Sequence, residues 1–171
     1  MTFPNRSYEP IERADLARLV EIARADLVDF FARKPRYAAL ENRLVCIALC
    51  QGGAQHFVGG RNGVKDFDVW TFFAAHLDEP TFPWRRRKAR DFGDPKFGRS
   101  PDHLDFVGRH VDLLGRSVEV AGHDHSVSVL RRYLSEGETE TARRLSEKAL
   151  VLLEPADRLG TVAWPVGFDD A

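Results

Sequence analysis

Apolar residues recur at steps of three and four through Leu16, Leu19, Val20, Ala23, Leu27, Phe30 and Phe31, the spacing of one face of an amphipathic helix. Pro10 suits the start of such a helix and Pro35 its end, so the pattern predicts a helix over residues 10–34. A short helical segment around residues 37–41 follows. From Leu44 to Cys50 every position is apolar, and a short, continuous apolar run predicts a buried strand. Residues 51–63 carry Gly52, Gly53, Gly59, Gly60 and Gly63 and read as a connection. A second strand is expected over residues 64–73. Residues 78–102 hold four of the nine prolines and many charges, the composition of a loop. A third strand is expected over residues 106–114, a turn at Gly115, and a short fourth strand over residues 117–120. Asp124 or Ser126 suits the cap of a helix running to Leu134, and Gly137 breaks it. Glu138 and Glu140 favour the start of another helix, with Ala142, Leu145 and Ala149 on one face. Residues 149–153 read equally well as the end of that helix or as a terminal strand.

The pattern gives a single α/β (α+β) domain. It has a mixed sheet of three to five strands flanked by helices over residues 10–122, and a C-terminal helical extension over residues 123–171. Composition agrees: 171 residues at 43% hydrophobic with 12 Phe supply enough apolar surface for a core. The 25 basic and 26 acidic residues leave a formal charge of -1, which excludes an overall basic footprint for nucleic acid but not a local one. Cys46 and Cys50 lie four apart on the expected strand, on one face yet beyond disulfide reach. Two buried free thiols fit a reducing compartment, so a cytoplasmic protein is expected. The first ten residues have no apolar core of signal-peptide type, and no run approaches the roughly 20 apolar residues of a membrane span.

Candidate chemistry concentrates in Cys50-Gln51-Gly52-Gly53 and Asp66-Phe67-Asp68-Val69. Along a strand Asp66 and Asp68 share one face while Phe67 and Val69 take the other. Two such carboxylates suit a hard divalent cation, Mg²⁺ or Mn²⁺, which also relieves their repulsion. Glycines directly after a strand let backbone N–H groups approach phosphates, and a helix beginning at Ala54 would add its dipole.

These residues, with Val111-Asp112-Leu113-Leu114, resemble the polymerase-β-like nucleotidyltransferase superfamily. That family shares a hydrophobic-Gly-Gly or Gly-Ser motif, a spacer, Asp-hydrophobic-Asp, and a third carboxylate on a neighbouring strand. The likeness spans residues 44–115 in the family's order. It implies a nucleotidyltransferase-like fold and two-metal in-line transfer of a nucleotidyl group from a nucleoside triphosphate to an unknown acceptor: a small molecule, a protein or RNA. Asp66, Asp68 and Asp112 would hold the metal, with Asp112 as possible base, and Gly52 and Gly53 would hold the phosphates. Gly53 stands where the family usually has Ser, and Gln51 where a hydrophobic residue is usual. A catalytically inactive module that binds nucleotide or a protein or RNA partner is the alternative.

Several further residues have two readings. Glu119, flanked by Val118 and Val120, competes with Asp112 for the third carboxylate. His56 falls on the first turn of the phosphate-binding helix and is a candidate nucleotide contact or a structural residue. Residues 84–90, Trp-Arg-Arg-Arg-Lys-Ala-Arg, form the one basic cluster, with Arg85 a candidate for triphosphate or acceptor phosphate and a solvated face as the plainer reading. Arg116 is a comparable case. Lys65 is expected to point away from Asp66, and Trp70 to share the carboxylate face. His123-Asp124-His125 lacks further ligands at zinc spacing and reads as a polar turn.

Overall fold

The run of aliphatic side chains that predicts the first helix buries itself as α1, Arg13–Arg33, with Leu16, Leu19, Ala23, Leu27, Phe30 and Phe31 all turned inward. The structure, a computed structural model, describes residues 2–122 and 124–167, and His123 therefore lies outside the described residues. Pro35 stops α1, and a 3-10 segment, Pro35–Arg43, leads to β1, Leu44–Cys50. The chain then turns directly into α2, Gln51–Gly59, so the glycine-rich connection is itself helical and begins three residues earlier than expected. Next come β2, Phe67–Ala74, β3, Lys88–Asp91, and β4, His110–Val118. The helices α3, Ser126–Glu136, and α4, Glu140–Leu145, precede β5, Leu150–Glu154, and β6, Val162–Trp164.

Six strands form one mixed sheet in the order β3-β4-β2-β1-β5-β6, one more than the expected range. Only β2 and β4 run parallel, with Asp68 opposite Asp112; the other neighbours are antiparallel. On one face α1, through Leu19, and α2, through Ala54, cover Ile47, Leu49, Phe67, Val69 and Val111. On the other, α3 covers Cys46, Ala48, Cys50 and Phe72. Alternation along β2 thus sends Phe67 and Val69 to the α1 side and Asp68 to the α3 side, as period two requires.

Three expectations change. Gly115 is no turn: residues 110–118 are one strand, and the glycine is needed there because a Cβ would come within 2.5 Å of the Phe82 ring. The stretch over residues 78–102 contains the edge strand β3, whose four residues are only partly buried. Ion pairs on α1 hold it: buried Asp26 accepts from Arg86 at 2.8 and 3.0 Å and from Arg90 at 3.3 Å. The expected C-terminal helical extension supplies α3 and α4 but then two strands, and β5 pairs with β1 inside the sheet. Residues 149–153 therefore turn into strand. No helix among the described residues is long and apolar enough to cross a membrane.

Candidate functional site

Asp68 and Asp112 are direct neighbours on parallel strands, so their side chains leave the sheet side by side on the α3 face. Asp66 lies one residue before β2 begins and reaches the same cavity as Asp68. Its loop is clamped twice. Ser7 and Val64 exchange backbone hydrogen bonds at 2.9 and 2.7 Å, and buried Arg109 donates to the carbonyls of Lys65 at 3.3 Å, Asn5 at 2.9 Å and Phe97 at 2.9 Å. Burial, then the charges of Asp66 and Asp112, push the Asp68 carboxyl up to about 7. Glu119 lies just beyond the far end of β4, seven residues or about 23 Å from Asp112 at ~3.3 Å per residue. It lines a different cavity beside His76 and Arg132, so Asp112 is the carboxylate beside Asp68.

Asp112 is only 1% exposed. The guanidinium of Arg87 forms an ion pair with its Oδ2, and His110 Nε2 lies 3.6 Å from its Oδ1. Neither Asp112 Oδ2 nor His110 Nε2 has a hydrogen-bond partner of good geometry. A bond to Asp112 raises the pKa of Arg87, helped by the charges of Asp68 and Asp66. Arg87 is thus a counter-charge to the carboxylate group, and Lys148 adds to it at Asp68. His110 in turn packs on His103, which stacks on Phe106 with ring centroids 4.5 Å apart.

A cavity of about 390 Å³ opens between Asp66, Asp68 and the start of α2 at Gln51 and Gly52. Four cations, Arg6, Lys65, Arg144 and Lys148, also line it, together with a third carboxylate, Glu147. Among the described residues Gln51 is the only non-glycine with positive φ, at 57°. Such a backbone costs of order 1 kcal/mol or more and tends to mark places where geometry matters more than stability. Here it turns β1 sharply into α2, so that the helix N-terminus faces the carboxylates.

Other sequence candidates fall elsewhere. Gly52 borders the cavity, whereas Gly53 faces the core, where a Cβ would meet Leu49 at 3.1 Å and Phe67 at 3.4 Å. His56 is 1% exposed and structural. Its Nδ1 accepts from the Gly63 N–H at 3.1 Å, so its proton is on Nε2, which donates to the Glu9 carbonyl at 2.9 Å. Arg85 stacks over Trp84 at 4.6 Å and lines a separate cavity; the arginine that reaches the carboxylates is Arg87. Lys65 precedes β2, so strand alternation does not apply and it joins the carboxylate cavity. Trp70 does share the Asp68 face, stacking on Phe72 at 6.2 Å. Arg116 bonds the Thr141 hydroxyl, and the His125 side chain caps α3.

The donors suit a hard divalent cation: two grouped carboxylates, one largely buried, and a third, buried one whose Oδ2 is ion-paired to Arg87. In the present arrangement no group of three or more His, Cys, Asp or Glu among the described residues is gathered as a metal cage, and Arg87 supplies positive charge. No family model matches the chain, and neither a curated protein nor a solved structure matches it.

Proposed function

We propose that the chain is a divalent-metal-dependent nucleotidyltransferase that takes a nucleoside triphosphate. What carries this reading is the pairing of Asp68 with Asp112 on one face of parallel strands, beside a strand-to-helix elbow that opens on a cavity lined by four cations. Asp66, Asp68 and Asp112 would hold Mg²⁺ or Mn²⁺, which when bound supplies charge neutralisation and polarises phosphoryl oxygens. The chain's own residues set the geometry. Gly52 and the first N–H groups of α2, with Arg6, Lys65, Arg144 and Lys148, bind and orient the phosphates. Asp112, buried and beside His110, is the group placed to accept a proton from an attacking hydroxyl.

One observation favours a second reading, a nucleotide-binding module without transfer. Arg87 already neutralises Asp112, and a cation supplied by the chain itself makes the metal unnecessary. Calorimetry with the four ribonucleoside triphosphates, with and without Mg²⁺ or Mn²⁺, decides between them. Transferase chemistry requires metal-dependent binding that Asp66→Asn/Asp68→Asn loses. Metal-independent binding that survives the double substitution leaves the module. No triphosphate binding overturns both.

A further inference from the structure

The basic run at residues 84–90 divides its work. Arg86 and Arg90 are committed to buried Asp26, and Arg87 to Asp112. Arg85 and Lys88 remain, and they meet Arg33, Lys34 and Arg36 from the end of α1 and the 3-10 segment across a second cavity of about 580 Å³. Eight cations line it against two carboxylates, Asp26 and Asp29. In a chain of formal charge -1 such a concentration is local. Among the described residues, Arg33, Lys34, Arg85 and Lys88 have no ion-pair partner, and the ion pairs of Asp26 and Asp29 are made by Arg86 and Arg90.

Aromatic rings interleave with these cations. Phe30 and Tyr37 stack at 5.4 Å and line the cavity, Arg36 lies 4.6 Å over Tyr37, and Arg86 lies 4.5 Å over Phe30. Trp84, next to the cavity residue Arg85 in the chain, is 59% exposed, with Arg85 at 4.6 Å and Arg116 at 6.0 Å from its ring. An exposed indole offers a flat π-face on which a base can stack. A single compact anion is better held by convergent, bidentate donors. Here the unpaired cations are spread over the end of α1, the residue after it, the segment before β3 and β3 itself, as contact with successive phosphates requires, and the Trp84 ring adjoins Arg85 for a base.

We propose that this rim of α1 and β3 binds single-stranded nucleic acid, with Arg33, Lys34, Arg85 and Lys88 on phosphates and Trp84 stacking a base. The inference does not rest on the transferase reading, because it uses neither the carboxylates nor the elbow at Gln51. Base-independent stacking and phosphate contact make the binding tolerant of sequence, and RNA and DNA strands share this chemistry.

The test is fluorescence anisotropy of the full chain with end-labelled single-stranded RNA and DNA oligonucleotides, without metal or triphosphate. Neutralising four phosphates gives a salt slope of about −3, so affinity should fall roughly 50-fold between about 50 and 200 mM salt. Arg33→Glu/Lys34→Glu should abolish binding at the higher salt while the circular dichroism spectrum is unchanged. Trp84→Ala should weaken oligonucleotide binding about tenfold, within the range for one stacked base, and leave binding of inorganic polyphosphate unaltered. Asp66→Asn/Asp68→Asn should bind strands as the wild type does, which keeps this result separate from the outcome of the triphosphate experiment. Preference for RNA over DNA, or none, identifies the strand and fits the proposal equally. Absence of binding at the lower salt, binding indifferent to the Arg33→Glu/Lys34→Glu change, or equal affinity for polyglutamate would overturn it.

Discussion

Asp68 offers the sharpest test of the site's electrostatics. In the unfolded chain its carboxyl titrates near its ordinary 3.8, whereas the fold pushes it to about 7 by burial and by the neighbouring carboxylates. Below pH ~4 the side chain is protonated in both states and costs the fold nothing. As pH rises from ~4 to ~7 the unfolded chain releases the proton and the folded protein keeps it, so stability drains away; above ~7 the loss levels off. At about 1.4 kcal/mol per unit over roughly three units, Asp68 destabilises the metal-free protein by about 4 kcal/mol at pH 8. Asp68→Asn keeps the shape and removes the charge. The substituted protein should match the wild type near pH 3.5 and exceed it by up to about 4 kcal/mol at pH 8. Urea unfolding followed by tryptophan fluorescence at a series of pH values reads the difference directly. A wild-type-minus-variant curve that stays flat between pH 4 and 8 would refute the reasoning, as would a variant less stable than wild type at pH 8.

Other outcomes follow from single contacts. Gly115→Ala places a Cβ 2.5 Å from the Phe82 ring, which overpacks the α1 face and should lower stability by about 1–3 kcal/mol in the same unfolding assay. Arg87→Gln takes the cation away from Asp112. Because the guanidinium is 66% exposed, the metal-free protein should lose only about 1–2 kcal/mol; Mn²⁺ binding, read by electron paramagnetic resonance, should tighten if the carboxylates hold metal. Burial pushes Cys46 up to about 12 and Cys50 well above its ordinary value, so neither is a thiolate at pH 8. An aromatic disulfide reagent should leave both untouched until denaturant is added, and rapid labelling of the native protein would contradict their burial.

How much of this was legible in the sequence depends on how local each signal was. Leu44–Cys50 is uniformly apolar, and the strand is found with those bounds. The edge strand Lys88–Asp91 has no hydrophobic pattern, because what fastens it is charge on α1, some sixty residues earlier in the chain. Asp68 and Asp112 were readable from their flanking apolar residues, and only the register of β2 against β4 set Glu119 aside. His56 looked like a helix-start contact because its true partners, Glu9 and Gly63, are brought in by folding. The cations of the carboxylate cavity were invisible for the same reason: nothing in the sequence around Arg144 and Lys148 marks them as neighbours of Asp66 and Asp68. Arg87 sat unmarked among four neighbouring cations, and it alone of the run pairs with Asp112.

The placement of β5 has a consequence for how the chain is made. Leu49 on β1 pairs with Val151, so the strand at the sheet's centre waits for a partner synthesised roughly a hundred residues later. Until residues 150–154 emerge, β1 presents one edge of unpaired backbone flanked by apolar side chains that the finished fold buries, a ready template for another chain. Late, long-range closure of this kind slows folding and prolongs that exposure. A nascent or truncated chain ending near residue 122 should accordingly self-associate, and the last third of the sequence acts as the fold's built-in guard against aggregation.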